Sequence, residues 1–432
     1  MTLETIRDTA RGYAWLARTA MRGFGGHVGV RRRHLLLLAW WFPPMISGGV
    51  YRSAALARYA VKRGWRVSVI CGPHPPSVNE AGRYMLDYVG PGVRMLRVSP
   101  GSLIPSYRFF PRVDGGFLNA LQTVDLALDA LADDAPGVIL ASGPPFHNFI
   151  AARFISRATG VPYLLDYRDE WTECPFSFVQ KGYADRYYER ACVRRAKRVI
   201  FTTDSHLDHQ TAVFPQLDRE RCVVIPNGWE PSDLEGMLDG DPPLSPAALH
   251  IAFVGALADH TLPAVFFSTL AKLLDRSPEL GTRLRVSFVG AKSGRACKQL
   301  ADFPYRDVLE LIDGVPKPAA LKIMRSADAL LIINDTTLHR YRPGKLYDYL
   351  ATETPVLVYG EGGEVAELVR RFDAGYVVRA GDPEGLSDAL ASLKGLRGRS
   401  AARGVREWLA QHSREQLAKS MIDLLEEVLG TG

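Results

Sequence analysis

From residue 34 onward one pattern repeats: a short apolar run, a break at Gly or Pro, then a stretch whose apolar positions recur three and four apart. Short apolar runs predict buried strands, and the helical periodicity between them predicts amphipathic helices. In the first half the predicted strands are residues 35–42, 67–71, 93–98, 138–142, 163–167, 199–203 and 223–226. Helices are predicted between most of them, at 50–63, 116–131, 148–159 and 183–196. Strands that are apolar along their whole length are buried on both faces, so the pattern predicts a parallel sheet covered by helices.

Residues 229–248 interrupt the alternation with a proline-rich, acidic, weakly periodic segment that reads as a linker. Strands then recur at 250–254, 284–289, 308–312, 329–333, 356–359 and 376–378, and residues 400–429 are helical with no strand after them. The prediction is an α/β protein of two doubly wound, Rossmann-like domains, 34–228 and 249–399, with terminal helices at 400–432 able to return to the first domain. Ligands of such sheets bind at the carboxyl ends of the strands, so two domains facing each other would share one cleft.

At 432 residues the chain exceeds one typical core, which agrees with two domains. Its longest apolar run, 35–45, is too short to span a bilayer, and no stretch resembles a cleavable signal, so a cytoplasmic protein is expected. The five cysteines are scattered and never spaced C-x-x-C, which argues against a disulfide framework or a zinc site. The net charge of +6 is concentrated: residues 1–33 carry seven arginines against Glu4 and Asp8, a balance of +5. That is an N-terminal feature rather than a nucleic-acid groove, and no nucleic-acid partner is expected. On a helical projection Leu3, Ile6, Ala10, Tyr13, Ala17, Met21 and Phe24 share one side, and Arg7, Arg11, Arg18 and Arg22 form a stripe away from it. Such a helix suits either an anionic membrane surface or a packing surface on the protein or a partner subunit.

Candidate chemistry lies at predicted strand ends. In RPGKLYDYLATETPVLVYG (342–360), Pro343-Gly344 breaks the chain before a short helix that places Lys345 and Asp348 on one face. Near a helix N-terminus a lysine and main-chain N–H groups favour an anion, and a carboxylate accepts hydrogen bonds from hydroxyls. A nucleoside diphosphate sugar suits that arrangement; a surface ion pair between the two residues is the alternative. In WWFPPMISGGVYR (40–52), Gly48 and Gly49 precede a helix, where bare backbone can approach a phosphate or simply form a tight turn. No acidic residue follows about 20 positions later to hold a ribose, which argues against a nicotinamide cofactor. His147 starts a helix after a strand, as an acceptor contact or a core histidine. LLDYRDEWTECP (164–175) gathers Asp166, Arg168, Asp169, Glu170 and Trp171, which either orient an acceptor or form a structural ion-pair network. In the second domain, FVGALADH (253–260) and FVGAKSG (288–294) end strands in glycine, and Lys292 either reaches a phosphate or is exposed. LIDGVPKPAAL (311–321) offers main chain at Gly314 and Val315 to a base edge, and Glu364 reads as a helix N-terminal cap rather than a catalyst. Asp239-Gly240-Asp241 has a metal-binding form, but it lies in the linker and is set aside.

In their order and spacing, FPPMISGGVYR, SGPPFHNFIAARFISRATGVPYLLDYRDEW, VVIPNGWE and PGKLYDYLATETPVLV resemble the glycosyltransferases of family 4, from about residue 35 to the C-terminus. The resemblance implies the GT-B fold, retention of anomeric configuration, a nucleotide-sugar donor on the C-terminal domain, an acceptor on the N-terminal one, and no metal or other cofactor. It implies that Asp348 holds the ribose, as the second glutamate of the family's E-x7-E motif does, that Gly49 belongs to the loop approaching the donor phosphate, and that Val315 faces the base. The family's active-site histidine falls on Arg168, and Arg340 replaces the first glutamate of the motif. Where the family commonly carries an Arg and a Lys for the diphosphate, this chain has Ala256 and the apolar stretch after Thr261. The diphosphate charge is then left to Lys345, with Arg340 or Arg342.

The reading is a glycosyltransferase acting on a glycan or lipid-linked acceptor in cell-surface polysaccharide or glycoconjugate synthesis. Arg168, Asp169 and Lys345 are the catalytic candidates. Gly48, Gly49, Lys292, Val315, Arg340, Leu346, Asp348 and Glu364 join Lys345 on the donor side, and His147, Asp166 and Trp171 join Arg168 on the acceptor side. The alternatives are a non-catalytic nucleotide-sugar binder, or an epimerase or hydrolase of the same fold.

Overall fold

The computed structural model describes residues 10, 12–14, 16–18, 21, 33–98, 110–235, 249–396 and 403–430. The chain divides into two compact units, Met1–Pro226 with Leu417–Gly432, and Asn227–Gln416.

Unit 1 contains a seven-stranded sheet made of β1 (His34–Leu38), β2 (Arg66–Cys71), β3 (Val93–Arg97), β4 (Val138–Gly143), β5 (Tyr163–Tyr167), β6 (Arg198–Phe201) and β7 (Cys222–Val224). Its order is β3-β2-β1-β4-β5-β6-β7, with every pairing parallel. Around it lie α1 (Val50–Lys62), α2 (Glu80–Val89), α3 (Phe117–Ala130), α4 (His147–Thr159), α5 (Asp185–Arg195) and α6 (Asp204–Val213). Side chains of Leu35, Leu37, Val67, Val69, Ala54 and Ala57 form one core with Met421, Ile422 and Leu425, which come from the last helix of the chain.

Unit 2 repeats the design with β8 (Leu249–Val254), β9 (Leu284–Val289), β10 (Leu309–Ile312), β11 (Ala329–Ile333), β12 (Val356–Tyr359) and β13 (Gly375–Val378). These form a parallel sheet of order β10-β9-β8-β11-β12-β13. Its helices are α7 (Ala264–Arg276), α8 (Gly294–Asp302), α9 (Lys317–Ser326), α10 (Gly344–Ala351), α11 (Gly363–Arg371), α12 (Pro383–Leu396), α13 (Arg403–Gln411) and the start of α14 (Arg414–Gly430). Gly375 opens β13 at φ +152°, where an added Cβ would lie 2.0 Å from the Val356 carbonyl oxygen, so only glycine fits.

Differences from the sequence expectation have local causes. The apolar run from Leu35 outlasts its strand because Trp40 and Phe42 are buried in the loop that follows β1. The expected linker starts late: Trp229 donates from Nε1 to the Leu409 carbonyl at 2.8 Å and pairs in a bridge with Ser413, which fixes residues 229–235 in unit 2. Residues 236–248, including Asp239 and Asp241, lie outside the described residues. So does most of the basic N-terminal segment; of its described residues, Arg18 pairs with Asp125 of α3 at 3.1 Å and Tyr13 packs on Phe110. Among the described residues no helix is long and apolar enough to cross a membrane.

Candidate active site

In each sheet the strand order reverses once, between β1 and β4 and between β8 and β11, and a crevice opens at the carboxyl ends where the crossovers leave to opposite sides. Among the residues singled out by sequence, Gly48 and Gly49 follow β1, His147 follows β4 and Lys345 reaches the end of β8, while others follow neighbouring strands.

In unit 2, β8 ends at Val254 and is followed by Gly255, at φ +135°. Lys345, in the first turn of α10, fills the space a side chain there would take: a Cβ on Gly255 would lie 3.1 Å from its Nζ. Although Lys345 is half-buried as a residue, its ammonium is drawn over the Phe253 ring, 3.6 Å from the centroid. Asp348, the carboxylate on the same helix, is taken by Lys317, so the surface pair between Lys345 and Asp348 does not form. Desolvation lowers the Lys345 pKa from 10.5 to about 7. His260, in the loop after β8, also has a lowered pKa, first from burial and then from Lys345, so two basic groups lie near each other past the end of β8.

Lys317 opens α9 two residues after Val315, and its pair with Asp348 is nearly sealed, at 8% and 12% side-chain exposure. Gly314 is open, and Val315 is half-buried against the core. Glu364 lies in the first turn of α11 but does not cap it; its carboxylate binds Arg342. Arg340 is half-buried in the same loop as Arg342. Asn334 donates from Nδ2 to the Gly360 and Gly362 carbonyls at 3.0 and 2.9 Å, fixing the turn after β12. Two expected donor contacts are occupied otherwise. The Lys292 ammonium donates to the Gly290 and Ile312 carbonyls at 2.8 and 2.7 Å, tying β9 to β10, and the Leu346 side chain is fully buried in the core.

In unit 1, Gly49 ends the loop after β1 and Arg168 follows β5. The two touch: a Cβ on Gly49 would fall 1.5 Å from Arg168 Nη1. The guanidinium donates from Nε to the Gly143 carbonyl at 3.3 Å and from Nη2 to the Pro144 carbonyl, at the end of β4. Beside it, burial pushes the Asp169 carboxyl up to about 6, with Arg168 opposing the shift. Gly48 is exposed, and a side chain there would meet nothing within 4 Å. Gly49→Ala is therefore expected to dislodge Arg168 and lower turnover by roughly 100-fold. Gly48→Ala is expected to be near neutral, and steady-state kinetics of the two variants side by side checks the pair.

The remaining acceptor-side expectations meet the interior. Asp166 is bound by Arg52 through Nε at 3.1 Å and Nη2 at 2.8 Å, and by Ser142 Oγ at 3.0 Å. Trp171 is fully buried, stacked on Phe146 at 5.0 Å, and donates from Nε1 to Asp185 at 2.8 Å. Glu170 is fully buried 2.7 Å from His209 Nδ1. His147 is fully buried edge-on against Trp40, 4.5 Å between centroids, and burial pushes its pKa down to about 3. Asp166, Glu170 and Trp171 are buried with partners, whereas both ring nitrogens of His147 lack a hydrogen-bond partner among the described residues and packing alone holds it; all four shape the strand ends and offer no surface to a ligand. Of residues 166–171, Arg168 and Asp169 keep partial exposure, and Arg168 touches Gly49.

Residues 47–228 match the glycosyl transferase 4-like domain family, and residues 248–394 match the glycosyl transferases group 1 family. A D-inositol 3-phosphate glycosyltransferase of Actinosynnema mirum is 28% identical over 235 residues, 51% of this chain and 53% of the relative. The chain thus spans about half the length of the curated relatives it matches. Among solved structures, the sucrose-phosphate synthase of Thermosynechococcus elongatus superposes with a TM-score of 0.68 at 15% identity, covering 93% of this chain and 100% of that one. Anabaena HepE in complex with UDP superposes with a TM-score of 0.60 at 14% identity, covering 91% and 99%. With a glycosyl transferase 4-like domain matched in the first half, a glycosyl transferases group 1 domain matched in the second and two doubly wound units behind them, the chain has the GT-B fold and carries both of these glycosyltransferase domains.

Proposed function

We propose that this glycosyltransferase moves a sugar from a nucleoside diphosphate sugar to a hydroxyl of a glycan or lipid-linked acceptor, with retention of configuration, in the synthesis of surface polysaccharide or glycoconjugate. One observation carries the reading: Lys345 is held at a strand-end crevice against an aromatic ring and a glycine, with its carboxylate neighbour engaged by another lysine. A partly desolvated cation with no carboxylate to neutralise it is ready for an anion, and a diphosphate is the anion that a crevice of this type accepts.

In this account Lys345, His260 and the N–H groups opening α10 receive the diphosphate. Asp348, oriented by Lys317, accepts hydrogen bonds from the ribose hydroxyls, and main chain at Gly314 and Val315 meets the base. As the bond from the anomeric carbon to the β-phosphate oxygen breaks, Lys345 meets the growing negative charge, where electrostatic stabilisation is worth most. The acceptor oxygen bonds to the anomeric carbon on the same face, and its proton passes to the departing phosphate. Arg168 cannot be a base at neutral pH, so we assign it, with Asp169, to positioning the acceptor. The UDP complex of HepE and the inositol phosphate named in the curated relatives make a UDP-sugar and a phosphorylated polyol the first pair to test.

The test is diphosphate release from a panel of nucleotide sugars, with and without candidate acceptors. Acceptor-dependent release supports the reading; release independent of any acceptor argues for a hydrolase, and none from any pair argues for a binder. A second expectation follows from Lys345. With a pKa of about 7 it is mostly neutral above that pH, and a bound diphosphate favours the ammonium. Binding near pH 8 is expected to take up about one proton, falling towards none as the pH drops well below 7. Calorimetry in buffers of different ionisation heat measures this, and Lys345→Met is expected to abolish the uptake.

A further inference from the structure

We infer that the outward face of α5, with the loop before it, docks unit 1 onto an anionic lipid bilayer surface. The two acidic residues of α5 point inward. Asp185 is 1% exposed and accepts from the Trp171 indole and the Asp114 N–H, and Glu189 is fully buried, accepting from Thr172 and Gln210. The outward face is left with cations: Lys181, Arg190 and Arg194 are exposed and form no ion pair among the described residues, whereas Arg186 is engaged by Glu173 at 2.7 Å. In the same stretch stand Phe178, Tyr183 and Tyr187, at 44%, 78% and 68% exposure. Three exposed large rings within ten residues concentrate apolar surface beside the cations. The headgroup layer of a bilayer takes such rings at its boundary and sets phosphates against the cations.

Buried rings tie α5 to the basic N-terminal segment. Tyr13 packs on Phe110 at 5.3 Å, Phe110 on Phe117 at 6.3 Å, and Phe117 on Tyr188 of α5 at 5.5 Å. Tyr13 and Met21 in that segment are themselves 53% and 79% exposed, so five of the nine large exposed hydrophobic side chains among the described residues fall in these two basic stretches. Apolar groups that include a methionine and a phenylalanine, set beside arginines, favour lipid over nucleic acid. This inference does not depend on the donor site.

The experiment is co-sedimentation of the full chain with vesicles of phosphatidylcholine alone and of phosphatidylcholine with phosphatidylglycerol. The expected result is salt-sensitive binding to the anionic vesicles only. The variant Tyr183→Ser, Tyr187→Ser, Arg190→Glu, Arg194→Glu should bind at least about tenfold more weakly with an unchanged unfolding temperature. If that variant does not fold, Arg190→Glu with Arg194→Glu alone should still weaken binding and flatten its salt dependence. Binding of the folded variant as tight as that of the native chain would overturn the inference. So would failure of the native chain to bind anionic vesicles, including the case where it binds single-stranded RNA instead.

Discussion

Lys345→Met is expected to make the unliganded protein more stable and at the same time disable it. The native ammonium gains from the Phe253 ring but has lost water, and desolvation lowers its pKa from 10.5 to about 7. Replacing it with an apolar chain of similar length removes that burden, and a gain of about 1–3 kcal/mol is expected. The sign can be checked with pH. Between 7 and 10.5 the unfolded state binds more protons at this residue than the folded state, so native stability rises with pH there and the advantage of methionine shrinks. Below 7 the advantage is complete. Against this, diphosphate affinity should fall roughly 100-fold, and turnover further, since a charge-assisted contact made mainly in the transition state is lost. Denaturation curves at several pH values and steady-state kinetics measure both halves. Opposite changes in stability and activity would mark Lys345 as a residue kept for function.

Arg52→Ala is expected to have the opposite character, with a large loss of stability. Arg52 and Asp166 are 7% and 2% exposed, and the guanidinium also donates from Nη1 to the Pro226 carbonyl at 2.6 Å. Removing the arginine leaves a carboxylate in the interior with only Ser142 to bond it, a change that costs about 3–5 kcal/mol. Adding Asp166→Asn should recover part of that loss, because an amide bonded to Ser142 carries no uncompensated charge. Denaturant titration of the single and double variants tests this, and equal losses in both would assign the effect to packing rather than charge. Since the two units need not unfold together, a probe within unit 1, such as the buried Trp171, should be followed.

These two residues also illustrate what the sequence could convey. Strands were legible because both faces are buried: the expected spans 163–167, 284–289, 329–333 and 356–359 coincide with β5, β9, β11 and β12. Lys345 was legible because Pro343-Gly344 sets the start of its helix, but that its neighbour Asp348 pairs with Lys317 and leaves it unneutralised was not. Partners set by tertiary packing were not. Arg52 meets Asp166 across 114 positions and Lys317 meets Asp348 across 31, and no local pattern links either pair. Arg52, Lys317 and His260 each stood inside a stretch already noted for its neighbours, which was the one available signal. Charged and aromatic residues just past a strand read as ligand contacts, yet Asp166, Trp171 and His147 are interior because the fold supplies a guanidinium, a carboxylate and a tryptophan face to bury them. Lys292 illustrates the same limit, since two main-chain carbonyls that no sequence pattern marks hold its ammonium.

The most direct test of the donor site is thermal stabilisation of the full chain by UDP, GDP, ADP and dTDP, run beside Lys345→Met. A ligand at about 100 times its dissociation constant adds about 2.7 kcal/mol to the folded state. The account predicts a clear rise with one diphosphate and its loss in the variant. No rise with any of them, or a rise of equal size in Lys345→Met, would contradict it.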